Sequence, residues 1–241
     1  MTAFKDQVSV ITGASSGIGR AIALGLAAQG STLCLVGRRI EALEVVAEAA
    51  RALAASVCCY CADLSLDEQV RALAVQLAGM DRIDVLIHSA GAIAMGPIES
   101  AAAEELDRQY RINVRAPYLL TQALLPTLKR SRGQIVFINS SAGLAARPNT
   151  SQFCATQHAF KALADSLRAE VNGDGIRVLS VYPGRTATSR QAAMYAKTGS
   201  EYRPELLLQP EDIASVVLNA VSLPRTAEVT DISIRPMQKS Y

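Results

Sequence analysis

Apolar and polar positions along this chain switch repeatedly between two periods. A β-branched run over residues 7–12 meets a glycine turn and then a helix over 17–28, closed by Gly30. A second strand, 31–36, leads through Gly37-Arg38-Arg39 into a helix from about 41 to 53. A third strand runs through Cys61 and ends at Ala62-Asp63. Residues 66–79 place apolar side chains at helical period, and a fourth strand, 84–89, breaks at Ala90-Gly91. The helical region 102–129 is expected to bend near Pro117 and Pro126, where proline removes a backbone donor. Strand 134–139, helix 150–172, strand 177–181, helix 210–223 and strand 229–234 complete the series, with Gly173, Gly175 and Pro183-Gly184 as breakers. Residues 187–210 are weakly patterned and read as a long irregular segment.

Strands alternating with helices over the whole length predict an α/β fold. The expected form is a parallel sheet of about seven strands covered by helices on both faces. Nothing resembles a linker or a repeat, so residues 1–241 read as one domain. Ligands of such sheets lie beyond the carboxyl ends of the strands, at the point where strand order reverses. An irregular segment at 187–210 would serve there as a lid or binding loop, with Tyr195 and Tyr202 lining a pocket.

The first turn carries the strongest chemical signal. Gly13-Ala14-Ser15-Ser16-Gly17-Ile18-Gly19 stands between a strand and a helix. Helix-start N–H groups are unsatisfied there, and glycine lets a phosphate approach the backbone. The second strand ends on Gly37, where an acid would accept from a ribose 2′-hydroxyl. Arg38 and Arg39 follow instead, a fork suited to a 2′-phosphate, with a solvated start of the next helix as the other account of the pair. NADP(H) is therefore expected in preference to NAD(H). Asp63 could accept from an adenine amino group, and an N-cap of the next helix is an equally good account of it.

Composition narrows the rest. The chain is 50% hydrophobic with a net charge of +2, which gives no reason to expect nucleic acid as a partner. No apolar run is long enough to span a bilayer and no basic-then-apolar leader is visible, so a cytoplasmic protein without membrane contact is expected. Cys58 and Cys61 form a C-x-x-C. On a strand, though, residues three apart face opposite ways and no second pair follows, so no metal site is expected. These cysteines, on a strand that reads as buried, are expected to be small core residues.

Thr12 to Gly19 resembles the nucleotide motif of the short-chain dehydrogenases/reductases. Ala62-Asp63-Leu64, Ala90-Gly91, Asn113, Ser140 and Pro183-Gly184 fall where that family places its further motifs. The resemblance implies a nicotinamide cofactor held by Gly13, Ser15, Ser16, Gly17, Ile18 and Gly19, with Arg38, Arg39, Asp63 and Leu64 around the adenosine. It adds Ser89, Ala90, Gly91 and Asn113, then Gln157, Pro183, Gly184, Thr186 and Thr188 towards the nicotinamide. It also implies a Rossmann-type, doubly wound sheet, a small-molecule substrate and self-association as a dimer or tetramer through the two long helices. The usual Asn-Asn-Ala-Gly is His88-Ser89-Ala90-Gly91 here, with His88 read as a packed strand-end residue.

The pattern breaks at its catalytic centre. Hydride transfer across a carbonyl/alcohol pair uses, in this family, Ser to orient the oxygen, Tyr as acid/base and Lys four residues later. Asn supports a proton relay. Ser140 and Asn113 are in place, but the Tyr and Lys positions hold Phe153 and Gln157. Phe keeps the volume without the hydroxyl, and Gln keeps hydrogen bonding without the charge. Lys161 reads as a surface residue one turn on. The expected protein is an NADP(H)-dependent oxidoreductase of this family, impaired as written. A non-redox enzyme reusing the pocket (lyase, cyclase or isomerase) and a non-catalytic NADP(H)-binding protein are the alternatives.

Overall fold

In a computed structural model, which describes residues 3–238, seven parallel strands form one sheet in the order β3-β2-β1-β4-β5-β6-β7. The strands are β1 (Val8–Thr12), β2 (Thr32–Gly37), β3 (Ser56–Cys61), β4 (Val85–His88), β5 (Gln134–Ile138), β6 (Arg177–Pro183) and β7 (Asp231–Ile234). Helices α1 (Gly17–Ala27), α2 (Ile40–Arg51), α3 (Asp67–Ala78), α4 (Ala103–Tyr110), α5 (Ala116–Ser131), α6 (Ser151–Val171), α7 (Ser189–Thr198) and α8 (Pro210–Val221) connect them. The Rossmann-type reading of the sequence holds, and the order reverses between β1 and β4.

Central strands are apolar on both faces because helices cover both. Ile11, Leu35, Ile87 and Val136 pack with Ile22, Leu26, Leu43 and Val217 of α1, α2 and α8 on one side. Val10, Val36, Leu86 and Phe137 pack with Leu73, Leu120, Leu124 and Phe160 of α3, α5 and α6 on the other. The two central strand ends are tied by Thr12. Its hydroxyl donates to the Ile87 carbonyl at 3.3 Å and accepts from the Ser89 and Ala90 N–H groups at 3.1 and 3.2 Å. This fixes the turn after β1 against the turn after β4.

Two expectations need correction and a third needs refinement. Strand β3 is not a buried strand but the sheet's edge. Paired among the described residues only with β2, it leaves Cys58 and Cys61 exposed and Cys59 half-buried, whereas Cys34 and Cys154 are buried. The region 102–129 is helical, as read, but its irregularity is a π-helical turn at Arg111–Arg115. That turn joins α4 to α5 in one unbroken run of helical backbone, and Pro117 follows just after it. Helix α5 continues through Pro126. Residues 187–210 are not irregular either. Thr188 caps α7 by accepting from the Gln191 N–H at 3.2 Å, and a 3-10 turn covers Pro204–Leu206. No residue of α7 is buried, so it leaves no apolar stripe in the sequence.

Candidate functional site

The carboxyl ends of β1, β2, β4, β5 and β6 surround a cleft of about 430 Å³ at the switch point. Gly13, Ser15, Ser16, Gly17, Ile18 and Gly19 form one wall. Gly13 has φ +68°, and a Cβ there would meet the Ala90 Cα at 2.8 Å. Only glycine allows this approach. Ser16 makes no capping bond to α1, and the first turn of α1 holds no acidic residue. Among the described residues its leading N–H groups thus have neither an N-cap nor a first-turn carboxylate as acceptor, the arrangement expected of an anion cradle.

At the outer end, Gly37 and Arg38 line the cleft, and Arg38 makes no ion pair among the described residues. Arg39 does not line it. As the exposed N-cap position of α2 it leaves the wall, so the fork expected from the pair is reduced to Arg38. Leu64 lines the cleft but Asp63 does not. The Asp63 carboxylate accepts from the Ser65 N–H at 2.9 Å and hydroxyl at 2.7 Å, forming a local turn. Burial opposes its ionisation, yet Ser65, Arg38 and Arg108 together hold its pKa below the usual carboxylate range. The N-cap of α3 is Leu66, so the capping account of Asp63 is set aside.

The inner end gathers the residues of the catalytic pattern. Ser89, Ala90, Gly91, Asn113, Ser140, Phe153, Gln157, Pro183, Gly184, Thr186 and Thr188 all line the same cleft. Asn113 sits in the π-helical turn and is 2% exposed. Its Oδ1 accepts from the Ala92 N–H at 2.7 Å, while Nδ2 donates to the Ala92 carbonyl at 2.9 Å and the Thr156 hydroxyl at 3.0 Å. Asn113 thus clamps the segment after β4 to α6. Asn139 does the same for β5, accepting from the Ser140 N–H at 2.7 Å and donating to the Gln157 carbonyl at 3.1 Å. Ser140 is set against α6 by this bond, one helical turn separating Phe153 from Gln157.

His88 lies fully buried under this floor. Burial pushes its pKa down to about 3, Nε2 faces the Thr121 hydroxyl at 2.9 Å, and the ring tilts on Phe137. It is a packed neutral residue, as read from the sequence. Lys161 pairs with Asp165 at 2.5 Å on the surface of α6, also as read.

A second cavity of about 710 Å³ shares Ser140, Phe153 and Gly184 with the first and opens beneath α7. Tyr195 lines it and receives a hydrogen bond from Arg185 Nη1 at 3.3 Å. Tyr202 packs edge-on against Tyr195 but does not line the cavity. Sequence reasoning missed Arg108 and Arg190, which also line the cleft. Arg108 is paired with Glu105 at 2.7 Å, whereas Arg190 donates to the Gly91 carbonyl at 2.6 Å. Burial, then the charges of Arg38 and Arg108, lower the Arg190 pKa. The sequence held no signal for it, since α7 itself was not legible.

A seven-stranded parallel sheet with a glycine-walled cleft at its reversal point defines an α/β protein of the Rossmann type. The chain belongs to the short chain dehydrogenase family of oxidoreductases, whose model matches residues 7–199. It is 34% identical over 235 residues to the uncharacterized short-chain type dehydrogenase/reductase y4eK of Sinorhizobium fredii, covering 95% of this chain and 91% of the relative. Among solved structures, a metagenomic short-chain oxidoreductase in complex with NADP is 29% identical with a TM-score of 0.84, covering 98% of this chain and 100% of the other. A short chain dehydrogenase of Shigella flexneri complexed with NADP is 29% identical with a TM-score of 0.87, covering 96% and 98%.

Proposed function

We propose that this chain binds NADP(H) in the 430 Å³ cleft and carries out carbonyl/alcohol hydride chemistry only at a strongly reduced rate. The observation that carries the reading is the placement of Phe153 and Gln157 beside Ser140 in the same cleft as the glycine turn. The residues fit a dinucleotide. Gly13, Gly17 and Gly19 leave a backbone cradle that a Cβ would fill, and Gly37-Arg38 offers a cation where an acid would select NAD(H). The bound cofactor would supply or accept the hydride. Ser140 would orient the substrate oxygen, and Gln157 would hydrogen-bond the ribose. No side chain at 153 holds a proton for the developing alkoxide. The NADP complexes of the relatives above support the same cofactor.

Cofactor preference tests the first half. NADPH should bind roughly ten- to hundredfold more tightly than NADH, the worth of one charge-assisted contact, and Arg38→Ala should abolish the difference. Calorimetric titration of both cofactors decides it; equal affinities in the parent chain refute the Arg38 assignment. The finer reading includes self-association through α4, α5 and α6, supported by Tyr110 and Tyr118, each about half exposed on α4 and α5. Light scattering should return a multiple of the chain mass, and a monomer at micromolar concentration would count against it.

A further inference from the structure

Arg190 crosses the cleft. From the second position of α7, which follows β6, it donates to the Gly91 carbonyl in the turn after β4. Thr188, two residues earlier, lies against the turn that follows β1, for a Cβ on Gly17 would come 3.1 Å from its Cγ2. The uncapped start of α1 and the Arg190 guanidinium thus line the same cleft. Arg38 stands one strand further out, at the end of β2. A neutral carbonyl is a weaker acceptor for guanidinium than an ionised phosphate oxygen, which also matches the planar fork.

We propose that Arg190 clamps the bridging diphosphate of a bound nicotinamide dinucleotide, giving up the Gly91 carbonyl for phosphate oxygens while the start of α1 holds the opposite side. This rests on the cofactor reading above and deepens it. It also separates two arginines by signature. The diphosphate is common to NADPH and NADH, whereas the 2′-phosphate belongs to NADPH alone.

The experiment titrates NADPH, NADH and adenosine 2′-monophosphate into the full chain and its R38A, R190A and R190K variants. Arg190→Ala should raise the dissociation constants of NADPH and NADH alike, roughly ten- to hundredfold, and leave adenosine 2′-monophosphate unchanged. Arg38→Ala should weaken NADPH and adenosine 2′-monophosphate but spare NADH. Arg190→Lys keeps the charge and loses the fork, so it should recover part of the loss. Unchanged NADH binding by R190A overturns the proposal, as does a loss confined to the two 2′-phosphorylated ligands. A parent chain that bound neither dinucleotide would overturn the function proposed above as well. Parent binding with an indifferent R190A overturns this inference alone.

Discussion

Turnover of NADPH with carbonyl substrates rises by about 10²–10⁴ when Phe153→Tyr and Gln157→Lys are made together, the span associated with a positioned general acid. Positions 153 and 157 lie one turn apart on α6 and line the cleft beside Ser140. A phenol at 153 would therefore line the same cleft as the Ser140 hydroxyl, to which the proposed function gives the orienting of the substrate oxygen. Phe153→Tyr alone supplies a phenol with a pKa near the ordinary value of about 10, able to donate in reduction but a poor base for alcohol oxidation. Gln157→Lys alone supplies a charge with nothing to activate. Gln157 is 5% exposed, so a lysine there would act through little intervening water. The double gain should exceed the product of the single gains. Rates for the four proteins across a carbonyl panel check this. A parent already as fast as the double variant would mean the proton comes from elsewhere, with Tyr195 and water left as donors once buried His88 is set aside. A silent double variant that still binds cofactor would favour the non-redox readings.

Gly13→Ala should destabilise the fold by about 2–6 kcal/mol, combining left-handed backbone strain with overpacking. The added Cβ would sit 2.8 Å from both the Ala90 Cα and its N, in a backbone at φ +68°. Neither neighbour can swing aside, because Thr12 holds the Ser89 and Ala90 N–H groups to β1. The same substitution should widen the gap between the two central strand ends and weaken cofactor binding. Urea unfolding of the two proteins measures the first effect. A loss below 1 kcal/mol would show that the turn after β4 yields, contrary to the tie through Thr12.

Much of this was legible in the chain because it is written locally. Apolar runs, glycine breaks and helical periods depend on residues a few positions apart, and they showed seven strands, the helices between them other than α7, and the parallel class. The glycine turn, Gly37-Arg38, Ser140 and the Phe153/Gln157 exchange were legible for the same reason, since each is a motif at fixed spacing. Strand order was not. Nothing in Ser56–Cys61 says that β3 has one neighbour instead of two, so its cysteines read as core and are in fact on an edge. Helix α7 escaped notice because a helix without buried residues has no periodic stripe to show, and Arg190 escaped with it. The π-helical turn at Arg111–Arg115 follows from packing against the segment after β4, where Asn113 finds both backbone groups of Ala92, a partner 21 residues away. The sequence by itself determined the seven strands, the helices with a buried stripe, and what chemistry positions 140, 153 and 157 can and cannot supply. Only the tertiary structure decided which arginines enter the cleft, because that depends on where separate strand ends meet in space.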